Sequence, residues 1–225
     1  MRWPRFLIAA VGGTLLAILA PPAHCGVVLD QNYDPNGNSV AGFGSGNTNQ
    51  ERAQTFTVGV SGSLVSADVF LELFSGNQGS LVSSICQVDS QGHPSTALAT
   101  IMTPASQVPA IPGGFVSLDY SSDPVPVYAG ESLAILLYAS SGNLTFNWFG
   151  QTPGTYAFGD EQEEVIGNHS WLVESGPFGG DFDMEFQTYV NVPEPTAGVL
   201  WLGACACLPL RRWRRPHRPD QKRTS

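Results

Sequence analysis

Leu133-Ala134-Ile135-Leu136-Leu137-Tyr138 (LAILLY) is apolar at every position, so both faces of an extended strand built from it need cover. Six residues are too few for a buried helix. Gly130 before the run and Ser140-Ser141-Gly142 after it punctuate it as turns do. It reads as the central strand of a sheet, and a central strand implies neighbours on both sides. Those neighbours can be read in either direction along the chain. Phe56, Val58 and Val60 alternate with small polar residues, and Val69, Leu71 and Leu73 oppose Asp68 and Glu72. Leu81, Ser83 and Ile85 lead into Cys86, and Val116, Leu118 and Tyr120 form a further run. Leu144 to Phe149 (LTFNWF) and Asp181 to Val190 (DFDMEFQTYV) close the series. The period is two throughout, with Gly, Asn, Ser or Pro between runs. No twelve-residue window between Gly26 and Asn191 carries a helical stripe. The expectation is all-β: one antiparallel β-sandwich, jelly-roll-like, over residues 26–191. Asn36 to Asn49 (NGNSVAGFGSGNTN) is too rich in Gly and Asn for an element and reads as a loop.

Composition agrees. Of 225 residues only 13% are charged, while Gly contributes 25 and Pro 17, which suits turns and strands better than helical surfaces. The net charge of −9 conceals a segregation. Between Gly26 and Glu194, Arg52 is the one basic residue against eighteen Asp and Glu, leaving −17. A surface so anionic repels phosphate backbones, which argues against nucleic acid as a partner.

The remaining basic residues sit at the two ends and flank apolar runs. Arg2 and Arg5 precede Phe6 to Ala20 (FLIAAVGGTLLAILA), and Ala23-His24-Cys25 offers a small-residue cleavage site. Residues 1–25 read as a secretory signal peptide for the Sec translocon, with the mature chain starting at Gly26. At the other end, Thr196 to Leu210 (TAGVLWLGACACLPL) runs into Arg211-Arg212-Trp213-Arg214-Arg215. As a helix the run would span roughly 22 Å, short of a hydrocarbon core of about 30 Å, a deficit that snorkelling arginines reduce.

Pro193-Glu194-Pro195 stands directly before that run. The order of Pro-Glu-Pro, short apolar helix and terminal arginine cluster resembles the PEP-CTERM sorting signal of Gram-negative bacteria. The resemblance implies an exosortase as processing partner. Pro193, Glu194 and Pro195 would be the recognition motif, and Arg211, Arg212, Arg214 and Arg215, with the single-span helix 196–210, the retaining segment. It also implies residence at the cell surface or in an extracellular, exopolysaccharide-rich matrix. The tail here runs on to Ser225, longer and more polar than the abrupt end usual in the family. The organisation expected is therefore 1–25 signal peptide, 26–191 ectodomain and 192–225 sorting signal. The ectodomain is similar to the choice-of-anchor jelly rolls that precede such signals, through Ala53-Gln54-Thr55-Phe56-Thr57-Val58, Val125-Pro126-Val127-Tyr128-Ala129-Gly130 and the closing Asp-Phe-Asp strand. That family supplies no catalytic residues to carry over.

Catalytic motifs are scarce. The chain has no G-x-S-x-G elbow, P-loop, H-E-x-x-H or G-x-G-x-x-G. Its ectodomain histidines, His93 and His169, lie in turn-like surroundings, and Cys86 reads as a buried apolar thiol. Asp160, Glu161, Glu163 and Glu164 read as a solvated loop, and Asp181, Asp183 and Glu185 as acids sharing one face of the last strand. Two binding features are expected. Asp30, Asn32, Asp34, Asn36 and Asn38 set oxygen ligands at alternate positions around a turn, as a structural Ca²⁺ site would, although position twelve of the loop is Phe43 where an EF-hand has Glu. Trp148 and Trp171 fall in an aromatic-rich, loop-rich stretch and form a candidate sugar platform. The leading expectation is a non-enzymatic surface or matrix protein. The alternatives are a calcium-stabilised carbohydrate-binding module and a carboxylate-dependent glycoside hydrolase.

Overall fold

A computed structural model describes residues 26–45, 49–140, 143–165, 170–173 and 181–193. The signal peptide, His169 and the sorting segment from Glu194 onward lie outside the described residues.

In chain order the strands are β1 (Gly26–Tyr33), β2 (Ser39–Phe43), β3 (Gln50–Thr57), β4 (Gly62–Ser75) and β5 (Ser80–Val88). Next come β6 (Pro94–Pro104), β7 (Gly114–Asp119), β8 (Val125–Val127), β9 (Ser132–Ala139) and β10 (Thr145–Gln151). The last four are β11 (Glu161–Val165), β12 (Leu172–Val173), β13 (Asp183–Met184) and β14 (Phe186–Val192). One 3-10 turn, Ala105–Gln107, follows β6. The described residues are all-β, in two antiparallel sheets compatible with the expected sandwich.

The six-stranded sheet has the order β12-β11-β3-β9-β5-β6. The eight-stranded sheet runs β1-β14-β4-β10-β13, with β2 on β10 and both β7 and β8 on β4. Eight strands form a folded double ribbon, since β2 pairs with β10, β3 with β9, β4 with β7 and β5 with β6. The LAILLY run is indeed central: β9 pairs with β3 on one side and β5 on the other. Leu133, Ile135 and Leu137 enter the core with Phe56, Leu71, Ile85, Leu118, Trp148 and Phe186.

Three expectations need correction. Asn36 to Asn49 is not all loop: Ser39–Phe43 is a strand, because Ala41 and Phe43 alternate into the core and Phe43 stacks on Phe146 at 5.4 Å. Glu161 to Val165 is likewise a strand, paired with β3. Glu161 is fully buried, and it is tolerated there because Arg52, itself 4% exposed, binds it at 2.8 Å and Glu163 at 2.9 Å. Finally, Asp181, Asp183 and Glu185 do not share one face of a single strand: Asp181 is exposed, whereas Asp183 and Glu185 are buried. The strand breaks between β13 and β14, and Phe182 through Phe186 are all buried. At the break Glu185 donates its N–H to Phe149 O at 2.9 Å and accepts from Phe70 N, so β4 changes partner there from β14 to β10.

Candidate functional site

The calcium string does not converge. Asp30 Oδ1 accepts from Gly59 N at 3.0 Å and Val60 N at 2.6 Å, capping the turn before β4. Asn32 accepts from Gln187 Nε2 at 3.0 Å. Asn38 clasps Thr152, accepting from its N–H at 3.1 Å and donating to its carbonyl at 3.2 Å. Only Asp34 and Asn36 turn toward one pocket, where they meet Glu185. Among the described residues no three His, Cys, Asp or Glu side chains are grouped to hold a metal. The side-chain oxygens of Asp30, Asn32 and Asn38 are taken instead by donors from distant segments.

The two tryptophans part company as well. Trp148 is fully buried, donating its indole N–H to Glu185 O at 3.0 Å. It is a core residue and offers no face to a sugar. Trp171 is partly exposed and lines a cleft of about 380 Å³ on the outer face of the six-stranded sheet.

The register explains how the cleft forms. Glu164 on β11 stands directly opposite Glu51 on β3, and β12 pairs Leu172 with Glu163. Carried one step further, that register sets Trp171 beside Glu164. Directly opposed side chains in antiparallel strands have Cβ atoms about 4.5–5.5 Å apart, so indole and two carboxylates form one row across three strands. Leu136 of β9 adds an apolar patch to the floor. Glu164 is only 6% exposed, and both glutamates interact with other groups of the protein.

The opposite wall is the loop from β5 to β6, with Asp89, Gln91 and His93, together with Ser95 at the start of β6. This loop is pinned. Asp89 Oδ1 accepts from Gln91 N at 2.8 Å and His93 N at 2.9 Å, and its backbone N–H donates to His93 O at 2.9 Å. Those amides hold the Asp89 carboxyl below its usual range. Gln162 of β11 donates from Nε2 to Gly92 O at 2.6 Å, tying the loop down across the sheet. Nearby, on the same face, Cys86 is buried and its thiol is pushed up to about 12, by burial first and by Glu51 second. Such a thiol stays protonated and is a poor nucleophile.

The cleft thus combines one indole, two carboxylates fixed by sheet register, a third fixed by a loop, an amide and an imidazole. Sugar rings present apolar CH faces for stacking and hydroxyls that donate to carboxylates, and a volume near the lower end of the ligand-pocket range suits one or two of them. Trp171 was visible from sequence as an aromatic among turns. Glu51, Asp89 and His93 were not, because only the pairing of β3, β5, β9 and β11 brings them to it.

No family model matches the sequence, and no curated protein matches it. Among solved structures the chain is similar to one described as "Structure of infectious bursal disease virus Gx strain", at 13% identity and a TM-score of 0.25. The match covers 82% of this chain and 41% of that one.

Proposed function

We propose that this is an exported, exosortase-sorted surface or matrix protein whose β-sandwich retains extracellular polysaccharide in the Trp171 cleft, without turnover. The observation that carries the binding role is the row Trp171, Glu164, Glu51 under the pinned Asp89–Ser95 wall. The address rests on sequence: a signal peptide over 1–25, Pro193-Glu194-Pro195, a short apolar helix and the arginines from Arg211 to Arg215. The ectodomain is read as a jelly roll. Of the eight ribbon strands the first pairs with the last, the second with the seventh, the third with the sixth and the fourth with the fifth, which supports that topology.

Address and binding are tested separately. Replacing Glu194 by Ala, or deleting Arg211 to Arg215, is expected to leave unprocessed precursor in the inner membrane. Normal maturation of both variants by mass would remove the sorting role. For binding, the full-length protein and its Trp171→Ala variant are compared on a panel of neutral and charged oligosaccharides. Neutral sugars are expected to bind and uronic acids to be excluded, because the cleft concentrates carboxylates. Parent and variant giving the same profile would remove the cleft from the account.

The direct opposition of Glu164 and Glu51 favours one second reading, a glycoside hydrolase, since paired carboxylates at short range are that chemistry's requirement. Release of reducing ends that disappears in both Glu51→Gln and Glu164→Gln would establish it in place of simple binding.

A further inference from the structure

The outer face of the eight-stranded sheet carries a second pocket, of about 260 Å³. Its apolar lining is Phe70 from β4, Phe149 from β10 and Pro112 from the turn before β7. Its polar lining is Asp34, Asn36 and Glu185, with the backbone of Gly37. The Phe70 and Phe149 rings meet edge to face, centroids 5.0 Å apart at 74°, and Phe115 meets Phe70 at 5.1 Å and 82°. Gly113, at φ +89°, presses on this corner: a side chain there would lie 3.0 Å from Phe149 Cε2 and 3.2 Å from Phe70 Cε1. The two edge-to-face contacts of Phe70 set the angles of the rings.

Glu185 is held too. It is 2% exposed, its Oε1 accepts from Gly37 N, and its carbonyl accepts from Trp148 Nε1 at 3.0 Å. Burial pushes its carboxyl up, the Gly37 amide pulls the other way, and the neighbouring Asp34 charge raises it again. Among the described residues no Lys or Arg lines this pocket. Arg52 is the one Lys or Arg between Gly26 and Glu194, and it is committed to Glu161 and Glu163. A small cation from solution can reach the pair, since Asp34 is exposed. A Ca²⁺ ion takes six to eight oxygens, whereas half of this lining is hydrocarbon and only two carboxylates face it. Crossed aromatic rings beside carboxylates are instead complementary to a cation with an apolar skirt.

We propose that this pocket binds an organic ammonium cation, its charged head toward Asp34 and Glu185 and its alkyl groups against Phe70, Phe149 and Pro112. The site is independent of the Trp171 cleft and stands whether or not the chain holds polysaccharide.

The test is calorimetric titration of the full-length protein with choline, with ethanolamine, with 3,3-dimethyl-1-butanol as the uncharged isostere of choline, and with CaCl₂. At least one ammonium is expected to bind about tenfold or more tightly than the isostere. Choline ahead of ethanolamine identifies a quaternary head as the ligand class, and the reverse order a primary one. Asp34 is exposed, so Asp34→Asn leaves the core intact, and an unchanged unfolding temperature verifies this. Asp34→Asn and Phe149→Leu are each expected to weaken the ammonium about tenfold. The proposal is overturned if neither ammonium binds, if the isostere binds equally, if both variants bind like the parent, or if Ca²⁺ alone is taken up.

Discussion

Asp183 is 3% exposed, beneath the loop whose Tyr156 N–H donates to its Oδ2 at 2.8 Å. Burial raises its pKa to about 6, and Asp160 and Asp181 add to the rise, while the bonds from Tyr156 and Gln54 oppose it. A carboxyl raised in the folded state favours the protonated form. Its contribution to stability is complete below the unfolded pKa, near 3.8, and is lost as pH rises through about 6. Up to about 3 kcal/mol is at stake. Asp183→Asn, which keeps an acceptor for Tyr156, is therefore expected to gain stability over the parent at pH 7.5 and not at pH 4, measured by urea unfolding. Equal differences at both pH values would mean that Asp183 is solvated. Arg52 presents the opposite case, a buried cation between two glutamates. Arg52→Met leaves Glu161 uncompensated and is expected to cost about 3–5 kcal/mol, while Arg52→Met with Glu161→Gln recovers most of it. No recovery in the double variant would show that the arginine acts through packing alone.

At the level of elements, what could be read from sequence depended on how far local pattern and burial agree. LAILLY announced a central strand, and β9 does have a strand on either side; its inner face enters the core, while on its outer face Leu136 and Tyr138 are only half-buried. β2 was hidden, since among the described residues of NGNSVAGFGSGNTN only Ala41 and Phe43 join the core and the flanking Gly and Asn dominate the composition. Phe43→Ala is expected to cost about 3–5 kcal/mol in chemical unfolding, a loss that a residue of a solvated loop would not show. β11 was hidden by its own charge: no local rule makes Glu161-Gln162-Glu163-Glu164 a strand, and its burial depends on Arg52, more than a hundred residues earlier. In DFDMEF the alternation breaks at Glu185, where β4 exchanges β14 for β10, so Asp183 is buried beneath the Tyr156 loop, Glu185 lines the Phe70–Phe149 pocket and Asp181 stays exposed. The cleft shared this fate. Its indole was visible, while its carboxylates and imidazole come from β3, from β11 and from the loop after β5, joined only by long-range pairing.

Over the whole molecule the −17 of the ectodomain is the dominant electrostatic fact. Both pockets concentrate carboxylates, one beside an indole and the other beside phenyl rings, on opposite outer faces of the sandwich. Such a body repels acidic polymers and polyphosphates and favours neutral or cationic ligands. With Asp30, Asn32 and Asn38 occupied by the protein's own donors, a chelator is expected to leave the unfolding temperature unchanged. A fall on chelation that added Ca²⁺ reverses would restore a structural calcium ion. The most direct measurement is cosedimentation of the full-length protein with the producing organism's own extracellular polysaccharide, for the parent and for Trp171→Ala, with Ca²⁺ and with chelator. The account predicts binding by the parent in both conditions and its loss in Trp171→Ala. Absence of binding by the parent, or equal binding by the variant, would contradict it.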